Sequence, residues 1–391
     1  ILYVGGIYMC RRRFLFICIL IAVSLLSFSN SLDFAGGSGS KDDPFLVSNS
    51  DQLHNIRNYL DKHYKQICDI DLSTYEDWDP IGSNTSQFVG TYNGNGYKIT
   101  HLQMNKPTDK PKGDIVGLFG YISGNSKIEN VCLENVSISA RADVGGLVGY
   151  VYSGTINNCS VSGNIVADNN VGGLVGGNFT GIIELNRTDV TIQGKSHIGG
   201  LVGHNRGKII NNCASGDVQS DIYTGGLVGY NRGEIENCFS TGKVKGENFS
   251  GGLVGYNVGG IIKNCYFIGE VTGVSKIGGL VGENSLGGII ENCYSAGNVS
   301  GITYTGGLVG NNNSSKIENS FTCANTIGTN LVGEFVGVGS KAELGKTEPE
   351  LMTKKDTFKD WDFLSIWSIE EAETFPYFKW QKEISHNYPL K

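Results

Sequence analysis

GGLVGYNRGEIENCFSTG, residues 225–242, places five glycines, two asparagines and a cysteine in eighteen positions. Its first five residues recur beginning at Gly145, Gly172, Gly199, Gly225, Gly251, Gly278 and Gly306, and a variant, Gly117-Leu118-Phe119-Gly120, precedes them. From Leu118 through Leu147, Leu174, Leu201, Leu227, Leu253, Leu280 and Leu308 the steps are 29, 27, 27, 26, 26, 27 and 28 residues. A repeat near 27 residues fits one coil of a solenoid and is too short for a propeller blade of about 40. Leucine-rich repeats have a similar period, but they need several leucines per unit, and most copies here have one.

Each unit holds short β-type runs separated by glycine and asparagine: Gly-Leu-Val, then isoleucine with Asn-Cys, then a valine before the next glycine. Runs this short, β-branched and bounded by turn formers read as strands. The expected fold is therefore all-β, a parallel β-solenoid of about eight coils of 26–29 residues with small caps at both ends. Successive strands should pair in parallel at roughly 4.8 Å. The connections should be right-handed by the general crossover rule.

In this frame the conspicuous residues acquire structural roles. Two glycines before every leucine are tolerable where a corner needs positive φ or where backbones approach too closely for a Cβ. Asn178, Asn205, Asn231, Asn257, Asn284 and Asn312 stand four residues after their leucines. Asparagine accepts the left-handed conformation, and stacked asparagines pass hydrogen bonds from coil to coil. A polar ligand stripe is the other reading of that column. Cys132, Cys159, Cys213, Cys238, Cys265 and Cys293 fall about twelve residues after theirs, so stacking predicts one file of small, polarizable side chains on the inner wall. A linear file cannot present zinc with a tetrahedral ligand set, and in-register neighbours hold their Cβ atoms slightly too far apart for disulfides. Asn186 and Ser320 take the equivalent place in two coils. Oxidation of one or two adjacent pairs stays open for an exported chain.

Met9 is followed by Arg11, Arg12 and Arg13 and an apolar run from Phe14 to Leu26, with small residues at Ser27, Ser29 and Ser31. That order reads as a removable export signal over residues 1–31, with Met9 the true start. The run is short of the 18 or so residues a spanning helix needs, so no membrane-embedded segment is expected after its removal. Without residues 1–31 the chain carries 28 basic against 38 acidic residues, a formal charge of −10. A nucleic-acid partner is disfavoured, because phosphate binding needs a basic surface. Expected boundaries are an N-terminal cap and first coils over 32–111, the repeat array over 112–340 and an aromatic C-terminal cap over 341–391. A degraded copy, Leu331-Val332-Gly333, closes the array.

The copies GGLVGYNRGEIENCFSTGKV and GGLVGENSLGGIIENCYSAGNV resemble the GLUG repeat of bacterial and archaeal surface proteins. The shared order is a glycine-leucine-hydrophobic-glycine core, an isoleucine-x-asparagine-cysteine stretch and a closing glycine-x-valine. The flanks GGSGSKDDPFLVSNSDQLHNIRNYLDKHYKQICDIDL, FVGTYNGNGYKITHL and DTFKDWDFLSIWSIEEAETFPYFKW also resemble segments that surround such arrays. The resemblance implies an exported, often adhesin-like β-solenoid. Some arrays of this kind belong to metallopeptidases.

Solenoid ends expose unpaired strand edges and need covering. Ser50-Asp51-Gln52 before Leu53, Ile56 and Leu60 predicts a short helix at the start. Thr347-Glu348-Pro349-Glu350 has the form of a second helix start. The aromatics Trp361, Phe363, Trp367, Phe375, Tyr377, Phe378 and Trp380 then form either a plug over the last coil or a platform for sugar rings.

Catalytic motifs are missing. None of the six histidines is followed by glutamate, which removes the zinc-peptidase signature, and no G-x-S-x-G elbow or complete P-loop occurs. Asp69, Asp71, Asp77 and Asp79, with Glu76, are the remaining candidates, as calcium ligands or an acid–base pair, although they lack the pattern of an EF-hand loop. No cofactor is expected. The reading is an exported, non-enzymatic protein, secreted or at the cell surface, that binds a glycan, a matrix protein or another cell. The alternatives are a polysaccharide lyase or hydrolase on the same scaffold, or a spacer.

Overall fold

The computed structural model describes residues 33–106, 114–327, 345–346 and 348–381. The export signal and the degraded copy Leu331-Val332-Gly333 lie outside the described residues. The rest is an all-β parallel solenoid with three strand-bearing faces per coil.

The first face follows each leucine anchor. Its sheet has eight strands, from Phe119–Ile122 to Val309–Asn313, one for each copy counted in the sequence. The second face carries the isoleucine of each unit in an eleven-stranded sheet running from Phe45–Val47 to Lys316–Glu318. Three of those strands, Phe45–Val47, His63–Gln66 and Thr91–Asn93, precede the repeats, so the N-terminal segment continues the stack as coils of its own. The third face is the widest. It is a single long strand in some coils, such as Cys132–Gly145 and Ser160–Gly172, and a broken pair in others, such as Cys213–Ala214 with Val218–Gly225.

Like stacks on like. Ile128, Ile156, Ile183, Ile209, Ile235, Ile262, Ile290 and Ile317 form one register-matched column, all buried. Burying each such side chain stabilises the fold by about 1.5–3 kcal/mol relative to exposure. The leucine anchors form a second column. Leu147 N–H donates to the Leu174 carbonyl at 3.1 Å, and the pattern runs unbroken to Leu280 and Leu308 at 2.8 Å. At Leu174, Leu201, Leu227, Leu253, Leu280 and Leu308 the carbonyl also accepts from the valine N–H that follows the preceding leucine.

The glycine pair is required by close approach rather than by positive φ. A Cβ on Gly225 would lie 2.0 Å from the Val228 carbonyl oxygen, and one on Gly226 would lie 2.1 Å from that of Gly252, with neither residue in the left-handed region. The corner between the third and first faces is thus too tight for any side chain.

The asparagine column works differently from the expectation. Asn178 to Asn312 close the strands of the first face in extended backbone and are buried. They form the predicted ladder, but the left-handed conformation belongs to a second column. Asn130, Asn158, Asn211, Asn237, Asn264, Asn292 and Asn319 have φ between 44° and 58° at the turn from the second to the third face. Leu185 replaces asparagine there in one coil, with φ of 57°. The fully buried ladder needs a side chain that can both donate and accept, whereas the tight turn needs one that tolerates αL; asparagine suits both for separate reasons.

The start is covered as predicted in kind. Asn49 caps a helix, Ser50–Asn55, by accepting from the Gln52 N–H at 2.9 Å, and Leu53 and Ile56 are buried beneath it. The finish differs. Residues 348–354 form turns, followed by the 3₁₀ turn Lys355–Thr357. The cap aromatics do not plug the last coil. They pack along the flank of the third face, where Phe239, Tyr266, Tyr294 and Phe321 stack outward and meet Trp361, Trp367, Phe378 and Trp380. Trp361, Trp367 and Phe378 are buried there, so they offer no platform for sugars.

Candidate functional site

The cysteines split into two files, which corrects the single inner column. Cys159, Cys238, Cys265 and Cys293 directly follow a left-handed asparagine and point into the corner. Cys132 and Cys213 come one residue later, in register with Ser160, Arg187, Phe239, Tyr266 and Tyr294 on the outward flank. The leucine-to-turn distance varies between coils, so counting from leucine merged two positions that face opposite ways. Counting from the left-handed asparagine separates them.

The inner file is a hydrogen-bond relay. The Cys265 thiol donates to the Lys263 carbonyl at 3.0 Å and accepts from the Cys238 N–H at 3.4 Å. The Cys293 thiol does the same with Glu291 and Cys265, at 3.1 and 3.4 Å. Ser320 continues the file, donating to Glu318 at 2.7 Å and accepting from the Cys293 N–H at 3.1 Å. Asn186 and Asn212 occupy it with Oδ1 accepting from the coil before, at 2.9 and 2.8 Å. Any small side chain that both donates and accepts fits, which explains why cysteine, serine and asparagine interchange. Burial pushes the Cys159 thiol up to about 12, keeping the proton the relay needs. All eight cysteines among the described residues are free thiols.

The acidic stretch does not form a metal centre. Asp69 accepts from the Lys98 N–H at 2.8 Å, and Asp71 accepts from Ser73 N–H and pairs with His101, each at 2.9 Å. Asp77 and Asp79 flank the Lys106 ammonium at 2.9 and 3.1 Å. Burial would push the Asp79 carboxyl up, but Lys106 more than offsets it and holds it below the ordinary carboxylate value. Asp69 and Asp71 thus have separate partners in the next coil, and Asp77 and Asp79 share one, Lys106. Among the described residues no three histidine, cysteine, aspartate or glutamate side chains group as a metal site needs.

An aromatic belt, only half of which was visible in the sequence, runs along the outer rim of the first face. Tyr150, His204, Tyr230 and Tyr256 share one outward position, with Glu283 next. A second column, two residues before each glycine pair, contributes Asp143, Asn170, His197, Tyr223, Phe249 and Lys276, all at φ between 49° and 60°. Its period was available; its convergence with the first column was not. His197 stacks on Tyr223 at 4.9 Å, Tyr223 on Tyr256 at 5.4 Å, and Tyr230 stands edge-on between Tyr223 and Tyr256. Lys276 lies 4.4 Å over Phe249 and pairs with Glu283. The rings therefore cover one another's faces, and the belt presents mainly edges to solvent. Within it burial, reinforced by His197, Arg206 and Arg232, depresses His204 to about 4, and its Nε2 has no hydrogen-bond partner.

The open feature is a groove of about 660 Å³ on the third face, beside the C-terminal cap. Glu134 comes from one coil and Arg187 and Asp189 from a single strand two coils on, with Ser160, Ser162 and Ser215 among them. Lys98 holds Glu134 in an ion pair at 3.1 Å.

Comparison with known proteins bears on the repeats. The GLUG motif matches residues 140–166, 220–245, 250–272 and 273–300. A protein of Evansella cellulosilytica, provisionally named a Gly-rich membrane protein, is 41% identical over 160 residues, 37% of this chain and 18% of that protein. Halomucin of Haloquadratum walsbyi is 34% identical over 140 residues, 33% of this chain and 2% of its own length. The chain thus spans less than a fifth of either relative. Two solved structures, each 18% identical, are also similar to this chain. One, from Bacteroides ovatus and provisionally described as an immunoglobulin A1 protease, has a TM-score of 0.43, covering 89% of this chain and 96% of that one. The other, an IgA1 protease, has a TM-score of 0.44, covering 83% and 24%. No helix among the described residues is long and apolar enough to cross a membrane. The chain thus carries the GLUG motif at four tiers of one continuous stack.

Proposed function

We propose that this chain is a non-enzymatic binding scaffold that works outside the cell, secreted or held at the surface, and presents the side of its solenoid to a ligand. One observation carries the reading. Positions that face inward are fixed by packing, as in the isoleucine and asparagine columns, while outward positions in register with one another change from coil to coil. A constant frame with a varied flank suits recognition along its length. The export-type leader supports the location, as do the membrane and halomucin names of its relatives. Expression from its own leader, followed by protease shaving of intact cells and a glycan and protein array, tests it. Retention inside the cell, or silence on every array, sinks it.

A second reading, a polysaccharide lyase or hydrolase, draws on Glu134 from one coil and Arg187 with Asp189 from another lining one groove. Reducing-end release from a polysaccharide panel, lost in Asp189→Asn, is the result that favours it over binding alone.

A further inference from the structure

On the outward side of the third face, residues two apart on each strand point the same way and create two parallel files about 7 Å apart. The first runs Cys132, Ser160, Arg187, Cys213, Phe239. The second runs Glu134, Ser162, Asp189, Ser215, Thr241, all on the same groove wall. Toward the C-terminus the groove is closed. Gln381 bonds the Tyr266 hydroxyl, and Phe378 and Trp380 lie over Phe239. Toward the N-terminus its lining ends at Cys132 and Glu134, the latter paired with Lys98.

We propose that this groove binds an extended, uncharged, β-linked oligosaccharide laid along the solenoid axis. The inference rests on the binding reading above and specifies its ligand class and place. Its first support is periodicity. Coils rise by about 4.8 Å, so the five tiers from Cys132 to Phe239 span about 19 Å. A pyranose unit in an extended chain advances by nearly the same step, so each sugar meets an equivalent pair of file positions. An extended peptide advances about 3.3 Å per residue and falls out of register. The second support is lining chemistry. Serine and threonine hydroxyls stand with the Glu134 and Asp189 carboxylates and the Arg187 guanidinium, groups that exchange hydrogen bonds with sugar hydroxyls, and Phe239 and Ile268 add apolar wall of the kind that meets the carbon faces of sugar rings. The third is charge. The chain carries a formal charge of −7, and in the groove Arg187 and Lys98 only balance Asp189 and Glu134, so no net positive charge is left for polyanionic glycans or nucleic acid.

Titration calorimetry of the full chain with cellohexaose and chitohexaose, with polygalacturonate fragments as the anionic contrast, tests the proposal. Binding of at least one neutral hexasaccharide is expected, strengthening with chain length up to about five units and then levelling. Ser215→Trp fills the groove from an exposed position, and it should weaken that binding at least tenfold without lowering the melting temperature; Asp189→Ala should weaken it several-fold. Preference for the polygalacturonate fragment overturns the proposal. So does neutral-sugar binding that survives Ser215→Trp and disappears in Tyr223→Ala, although the wider binding reading then stands. Failure of every glycan, with a protein ligand captured on the array, overturns the groove assignment alone; failure of all ligands sinks both.

Discussion

Asn231 Nδ2 donates to Asn257 Oδ1 at 2.8 Å, one link in an unbroken chain of amides from Asn178 to Asn312. Each amide also donates to a turn carbonyl of its own coil; for Asn257 this is Gly260, at 2.9 Å. Both amide hydrogens of Asn257 and its oxygen are thereby used. Asn257→Ala strands the Asn231 donor and the Asn284 acceptor in a buried site, at a cost of about 2–4 kcal/mol. Asn312→Ala, at the end of the chain of amides, should cost less than half of that. Urea midpoints of the two variants check it; equal losses mean the ladder does not act as one unit.

The relay predicts an unusual order of tolerance at Cys265. Serine keeps a donor and an acceptor, as Ser320 already does in the same file, so Cys265→Ser should stay within about 1 kcal/mol of the parent. Alanine leaves the Cys238 N–H unpaired and should cost about 2 kcal/mol, although its volume is closer to apolar corner fillers. Thermal unfolding under reducing conditions reads the difference. If alanine is tolerated as well as serine, the thiol hydrogen bonds contribute nothing.

Two glycines separate crowding from backbone strain. A Cβ on Gly252 would lie 2.2 Å from both the Gly279 carbonyl oxygen and the Phe267 ring. Gly252→Ala should therefore lose more than about 3 kcal/mol or fail to fold. Gly287 has φ of +79° with nothing near its Cβ, so Gly287→Ala pays only for the left-handed backbone, about 1–2 kcal/mol. Soluble yield and melting temperature distinguish them, and similar mild losses at both would contradict the close approach at the glycine pair.

His204 makes stability depend on pH. Its folded value, about 4, lies below the ordinary 6.5, so the neutral ring is favoured in the fold. The sign follows: full stability is present above pH 6.5 and is lost as pH falls toward 4, by up to about 3 kcal/mol. His197 faces it and is also depressed by burial, and Arg206 and Arg232 add positive charge. Carboxylates titrate in the same range, so the difference between the parent and His204→Tyr isolates the histidine. The variant should flatten part of the decline in melting temperature between pH 6.5 and 4; a parallel decline in both assigns it elsewhere.

Lys106 stands where a calcium ion would be needed between Asp77 and Asp79. Added calcium or a chelator should leave the melting temperature unchanged, while Lys106→Met lowers it by leaving two neighbouring carboxylates without their shared cation. A rise in melting temperature with calcium in the parent protein would restore the metal reading of that segment.

Period and composition determined the solenoid. The leucine spacing, the glycine pairs and the isoleucine of each unit act through contacts with the same residue one coil away, and a regular stack converts equal spacing in sequence directly into vertical neighbours. Hence the eight copies, their parallel pairing and the first asparagine ladder were legible, as was the helix at residues 50–55. Lateral relationships were not. Whether Cys213 points inward or outward depends on a one-residue difference in turn length, because a strand reverses its facing at every residue. The approach of His197, Tyr223 and Phe249 to the Tyr230 column depends on a left-handed bend that non-glycine residues carry only when the surrounding coils hold it. The return of the C-terminal aromatics along the flank depends on the outward stack of Phe239, Tyr266 and Tyr294, which exists only after the coils have piled up. The groove beside that flank is likewise a product of packing between segments far apart in the chain, and only the tertiary structure decided it.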